Sequence, residues 1–301
     1  MRALLLVVLL VACGPGSRPG DGSGGDDDGN GADVDGGAAV EACPNVDLLF
    51  VIDDSGSMAD QQESLIASFP GFVAGIQQRL GNAQSYHIGV VTTEDYQANR
   101  AGCRQIGDLI THTGGPASSM SACGPFANGQ SWMGETEPNL AQKFACAGKV
   151  GAGGSSDERI ARAIMNALEP ARNAPGACNA GFSRPESLLV IVIITDEDDV
   201  ADGCTGTVCD TYGSGGTSTD WYNTIVAHRG GFAQNIVVLS LIARQLANAC
   251  GATPAARLIG FTNKFDERGF IGDVCASSYD QFFLDALPVI DSACQNWDPI
   301  Y

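Results

Sequence analysis

The chain has 301 residues, 44% of them hydrophobic and only 17% charged, and 35 acids against 16 Lys and Arg give a formal net charge of −19. That balance argues against a nucleic-acid partner, because neutralising phosphates takes clustered Lys and Arg. Three scattered His (His87, His112, His228) argue against a His-rich zinc site, and eleven Cys point to disulfides in an oxidising compartment.

The predicted elements begin with an address. Residues 1–12 read MRALLLVVLLVA, one Arg followed by a ten-residue apolar run. The run has signal-peptide length and is too short to span a bilayer. Its end, Leu10-Val11-Ala12-Cys13, resembles the bacterial lipobox, in which cleavage precedes a Cys that then carries lipid. The resemblance implies a membrane anchor at Cys13. Gly14 and Pro15, with no Asp after the Cys, imply the outer membrane rather than the inner one. Residues 14–42 are rich in Gly and Asp, hold no aromatic and carry seven acids against one Arg. Such a segment buries too little surface to offset its chain entropy, so a solvated, self-repelling linker is expected over residues 13–42. Its DDDGNGADVDG stretch resembles an Asp-Gly calcium loop but lacks the Glu and flanking helices of an EF-hand.

Residues 43–301 alternate strand and helix. Val46 to Ile52 is a near-continuous apolar run, as a strand buried on both faces requires. Met58 to Leu80 has helical spacing, with Pro70-Gly71 expected to kink or split it. His87 to Thr93 reads as a strand, Asp157 to Glu169 as a helix, and Ser187 to Thr195 as the strongest strand. A helix over Ser218 to Gly230, capped by Ser218 or Thr219, precedes a buried strand from Asn235 to Ala243. A helix near Ala255 to Phe265, a short strand near Phe270 to Val274 and a helix from Tyr279 to Cys294 complete the series. This order implies an α/β fold: a doubly wound, mainly parallel central sheet flanked by helices. The pattern breaks at about 94–149, a stretch rich in Gly, Ser and Asn, and again at 201–217. Cys103, Cys123 and Cys146 fall in the first stretch and Cys204 and Cys209 in the second, so disulfide-stapled insertions are expected.

In an open parallel sheet, ligands bind beyond the carboxyl ends of the strands. Three oxygen-rich loops gather there: Asp53-Asp54-Ser55-Gly56-Ser57-Met58, Gly151-Ala152-Gly153-Gly154-Ser155-Ser156, and Thr195-Asp196-Glu197-Asp198-Asp199. Carboxylates with hydroxyls make a hard-oxygen site suited to Mg²⁺ or Ca²⁺. Asp53-x-Ser55-x-Ser57 after an apolar strand resembles the metal-ion-dependent adhesion site of von Willebrand factor A domains. That family adds a Thr from a middle loop and an Asp after its fourth strand. The resemblance covers about residues 46–294 apart from the insertions. It implies Asp53, Ser55, Ser57 and Asp196 as metal ligands, with Ser155 or Ser156 where the family has Thr. Glu158 supplements or replaces that hydroxyl in this reading, and Asp198 and Asp199 form either a second calcium site or a solvated acidic loop.

The function expected from this constellation is non-enzymatic. The chain reads as a lipid-anchored bacterial cell-envelope protein, periplasmic or surface-exposed. It would bind a protein ligand that offers an Asp or Glu carboxylate to Mg²⁺ (or Ca²⁺ or Mn²⁺), in adhesion or envelope assembly. A structural surface protein with a stabilising Ca²⁺ is the alternative. A metal-dependent hydrolase or phosphatase fits less well, because Ser55 stands where phosphatases with an aspartyl nucleophile have a second Asp, and no GxSxG elbow is present. With Cys13 lipidated, ten Cys remain to pair. Two pairs have geometric reasons: Cys204–Cys209 within one insertion, and Cys43–Cys294, because domain termini often lie close.

Overall fold

The computed structural model describes residue 43 and residues 45–79, 85–199 and 213–298, within a compact unit spanning Glu41–Tyr301. Six strands form one sheet in the order β3-β2-β1-β4-β5-β6: β1 (Asn45–Ile52), β2 (Ser85–Thr92), β3 (Met133–Gly134), β4 (Leu188–Ile194), β5 (Ile236–Ile242) and β6 (Gly269–Asp273). Only the β2–β3 pairing is antiparallel. The expected mainly parallel α/β sheet is therefore present. Its central strands have no solvent face, which is why their sequences run apolar without alternation.

The two faces of the sheet feed two separate cores. Val46, Leu48, Phe50 and Ile52 of β1 point into one, Leu49 and Val51 into the other, following the two-residue period of a strand. The first core is roofed by α1 (Ala59–Arg79), α2 (Leu140–Gly148) and α7 (Asp280–Gln295). The second is roofed by α3 (Ile160–Leu168), α5 (Ser218–Ala227) and α6 (Ala256–Thr262), with α4 (Pro170–Asn173) following α3. Helix α1 packs so close to α7 that a Cβ on Gly75 would lie 2.4 Å from Leu287 Cδ1. Pro70 does not split α1: the helix runs on through it, with Pro70 on the exposed side. Helix α5 is capped by Thr217, one residue earlier than expected, in a reciprocal capping box with Asp220.

The stretch at 94–149 is less of an appendage than its composition implies. It contributes β3 and α2, and Phe144 of α2 stacks on Phe69 at 3.4 Å between ring centroids and packs edge-on against Phe50. A disulfide joins Cys123 to Cys146 within it, and Cys103 reaches Cys178 outside it. Cys43–Cys294 pairs as expected, with Cα atoms 4.9 Å apart, and Cys250–Cys275 is a fourth bond. The expected lipid site Cys13, the linker and the pair Cys204–Cys209 lie outside the described residues. No helix among the described residues is long and apolar enough to cross a membrane.

Candidate functional site

Strands β1 and β4 are parallel neighbours in register, Ile52 opposite Ile194, so both chains leave the sheet side by side at its carboxyl edge. Asp53 follows directly on one strand, and Thr195 and Asp196 on the other. The Asp53 carboxylate is held on both oxygens: Ser55 N–H donates to Oδ1 at 2.7 Å and the Thr195 hydroxyl to Oδ2 at 2.7 Å. The Ser55 and Ser57 hydroxyls lie 3.3 Å apart. Asp53 and Ser55 are buried, whereas Gly56 and Ser57 are exposed and form the open lip of the site.

The middle loop is bound onto this edge. Gln62 of α1 donates to the carbonyls of Asp53 and Gly151 and accepts from Gly151 N–H. Gly154 N–H donates to the Asp54 carbonyl at 2.7 Å, so close that a Cβ on Gly154 would stand 2.8 Å from the Asp54 carboxyl carbon. Glycine is needed here for approach rather than for its φ. The loop lies against the Asp53–Asp54 segment, with its serines at the surface. Ser155 and Ser156 are exposed, and the Ser155 hydroxyl accepts from Asp157 N–H. The side chain that enters the interior is Glu158, fully buried and with neither oxygen hydrogen-bonded.

The result is a group of acids without counter-charge. Asp53, Asp54, Glu158 and Asp196 are all buried, and none joins an ion pair among the described residues. Burial, with repulsion from Asp53, pushes Glu158 up to about 10. Burial and Glu94 lift Asp54 to about 8, and burial lifts Asp53 to about 6 against the pull of Thr195 and Ser55. Asp196 Oδ1 has no hydrogen-bond partner. The other end of β1 shows the contrast. There the buried Asp47 accepts from Arg184 Nε at 2.8 Å and Nη2 at 2.7 Å, with Arg229 Nη2 at 3.5 Å. A buried charge needs a partner; Asp47 has Arg184 and Arg229, and at the carboxyl edge Arg257 lies 3.7 Å from Asp199, but Asp53, Asp54, Glu158 and Asp196 have no basic partner among the described residues.

Hard oxygens, unsatisfied carboxylate atoms and the lack of a basic partner for Asp53, Asp54, Glu158 and Asp196 among the described residues suit a divalent metal. No three His, Cys, Asp or Glu side chains among the described residues converge as ligands of one ion, so hydroxyls and side-chain rotation would have to complete any shell.

Asp198 and Asp199 are neither a solvated loop nor free ligands. Asp198 accepts from Arg257 N–H and Leu258 N–H at the start of α6. Asp199 is buried and accepts from Ala161 N–H at the start of α3 and from Ser214 N–H. Both oxygens of Asp198 and one of Asp199 are taken by the orphan donors of helix ends, which favour negative charge, and the other Asp199 oxygen accepts from the loop residue Ser214. Residues not singled out in the sequence also belong to the site: Asp54, Thr93, Glu94, Gln62 and Thr195. Thr93 and Glu94 follow the end of β2, where the strand-end rule points, and the Thr93 hydroxyl lies 3.5 Å from Asp54 Oδ1. Gln62 had no such signal, since its role depends on how α1 lies over the loops.

No protein-family model matches the chain, and no curated protein matches it. Among solved structures, proximal thread matrix protein 1 from the mussel byssus is similar at 10% identity, covering 83% of this chain, with a TM-score of 0.43. This chain covers 49% of that protein's length.

Proposed function

We propose that this chain is a lipid-anchored protein of the bacterial cell envelope whose α/β domain, resembling von Willebrand factor A domains, holds a divalent cation and through it a protein partner. One observation carries the reading: Asp53 and Asp196 leave adjacent parallel strands as buried acids, and no basic side chain among the described residues pairs with either. Asp53, Ser55, Ser57 and Asp196 would hold the ion, which when bound supplies positive charge for a partner's Asp or Glu carboxylate. The chain's own residues prepare that place. Thr195 and Ser55 N–H fix the Asp53 carboxylate, Gln62 ties the first loop to the middle one, and the exposed Ser57 leaves an approach from solvent.

Calorimetric titration of the full chain with Mg²⁺, Ca²⁺ and Mn²⁺ tests the ion site, with Asp53→Ala as control. Saturable heat in the native chain that Asp53→Ala loses is expected; equal heats for both would sink the site. Capture from envelope extract in the presence of cation against EDTA tests the partner, which should be retained only with the ion. A second reading, in which the ion only braces the sheet edge, is favoured by the burial of Glu158, because an added carboxylate cancels charge that a partner would seek.

A further inference from the structure

We infer that the cleft between the ends of β5 and β6 is a binding site for a free α-amino acid with an aliphatic side chain, its carboxylate on Arg244 and its ammonium on Asp273. The inference stands apart from the cation reading, since neither Asp53, Ser55, Ser57 nor Asp196 lines this cleft. Three observations carry it. First, the two strands end side by side, Ile242 opposite Asp273, and a cleft of about 420 Å³ opens there, at the carboxyl edge where parallel sheets take their ligands. Second, Arg244 and Asp273 line the cleft with opposite charges, yet neither joins an ion pair among the described residues. Each is tied to backbone instead: Arg244 Nη2 donates to the Ile271 carbonyl at 2.6 Å, and Asp273 Oδ1 accepts from Cys275 N–H at 2.9 Å. Third, the loop that carries Arg244 is fastened. The Asn248 side chain donates to the Gln245 and Ala252 carbonyls and accepts from Ala252 N–H, the Cys250–Cys275 bond clips the loop to the segment after β6, and Thr253 N–H donates to the Asp196 carbonyl at 2.7 Å.

The class of ligand follows from what the walls offer. The bond from Arg244 Nη2 to the Ile271 carbonyl leaves the other donors of the guanidinium fork for a carboxylate, whose shape they match. Asp273 keeps Oδ2 for an ammonium. A lone anion would meet Asp273, and a lone cation would meet Arg244; a molecule that carries both charges is attracted by both. An α-amino acid holds its ammonium and carboxylate on one carbon, so a single small molecule spans two groups that line one cleft. Internal residues of a peptide carry neither charge, and its two termini are a chain length apart. Ile242 and Ile271 line the same cleft and give an aliphatic side chain an apolar wall. Because backbone bonds already hold the two charges apart, little further ordering opposes binding.

The test is calorimetric titration of the full chain with leucine, beside leucine amide, which lacks the carboxylate, and the corresponding keto acid, which lacks the ammonium. Native protein is expected to bind leucine saturably with a Kd below about 1 mM. Binding should weaken at least about tenfold for each analogue, and for leucine in Arg244→Gln and in Asp273→Asn. Asp273→Asn keeps the oxygen that accepts from Cys275 N–H, and thermal melting shows whether each variant is folded. The two analogues test the same contacts on native protein if a variant does not fold. No saturable heat with leucine up to about 10 mM overturns the inference. So does an analogue that binds native protein as tightly as leucine does, or a folded variant with undiminished affinity. Asp53→Ala is expected to bind leucine as native protein does, which keeps this result separate from the fate of the cation reading.

Discussion

Asp53, Asp54 and Glu158 carry protons at pH values where carboxylates in an unfolded chain, near about 4, have lost theirs. Burial is the first cause in each case, lifting them to about 6, 8 and 10. The folded state therefore binds more protons than the unfolded state above about pH 4, and stability falls as pH rises through that window. In EDTA, the urea midpoint is expected to be higher at about pH 5 than at about pH 8. The fall should be shallower in Glu158→Gln, which removes one of the three groups, and saturating Ca²⁺ should flatten it by replacing protons with the ion. A flat or rising midpoint in EDTA would refute this account of the buried acids.

Among the elements, α2 shows how context overrides composition. Its surroundings read as an irregular excursion, yet its 100° spacing places Phe144 and Ala147 on one face, against Phe50 and Phe69. Phe144→Ala should cost about 3–5 kcal/mol, as expected for a fully buried aromatic, measured by urea unfolding. A cost below about 1 kcal/mol would mean that the helix is a loosely attached flap. The ends of other elements are held by acids from elsewhere in the chain: Asp198 and Asp199, four and five residues beyond β4, cap α6 and α3. An acidic run in a sequence reads as a solvated loop because such caps depend on helices that arrive from far along the chain. Helix α5 is the opposite case. Its box, Thr217 with Asp220, is local and stands in the sequence in the ordinary spacing, one residue before the expected cap.

Across the whole molecule, the Cys43–Cys294 bond joins a residue two positions before β1 to the last turn of α7, 251 positions apart, beside a backbone hydrogen bond from Cys43 N–H to the Cys294 carbonyl. A cross-link over so long a loop restricts the unfolded chain strongly, and its removal should cost about 2–5 kcal/mol. Cys43→Ser with Cys294→Ser, compared with native protein by thermal melting under non-reducing conditions, tests this; unchanged melting would show that the ends are held by packing alone. The charge also divides by place. Asp47 at the amino edge of the sheet is matched by Arg184 and Arg229, whereas at the carboxyl edge Arg257 reaches Asp199 and leaves Asp53, Asp54, Glu158 and Asp196 without a basic partner among the described residues. The unpaired acids at this edge, more than the total of −19, mark where the cation is proposed to bind.

The sequence by itself determined the alternation of strand and helix, the fully buried central strands and the loops at which Asp53, Ser55, Ser57 and Asp196 stand. These rest on local pattern: apolar runs, helical spacing and residues at strand ends, each legible within about ten positions. Tertiary structure alone decided that Glu158 and not Ser155 or Ser156 turns inward, that Gln62 and Thr195 brace the site, and that Asp198 and Asp199 are caps. Each of these depends on which loop lies beside which once the strands take the order β3-β2-β1-β4-β5-β6, and long-range proximity leaves no periodic trace in the chain.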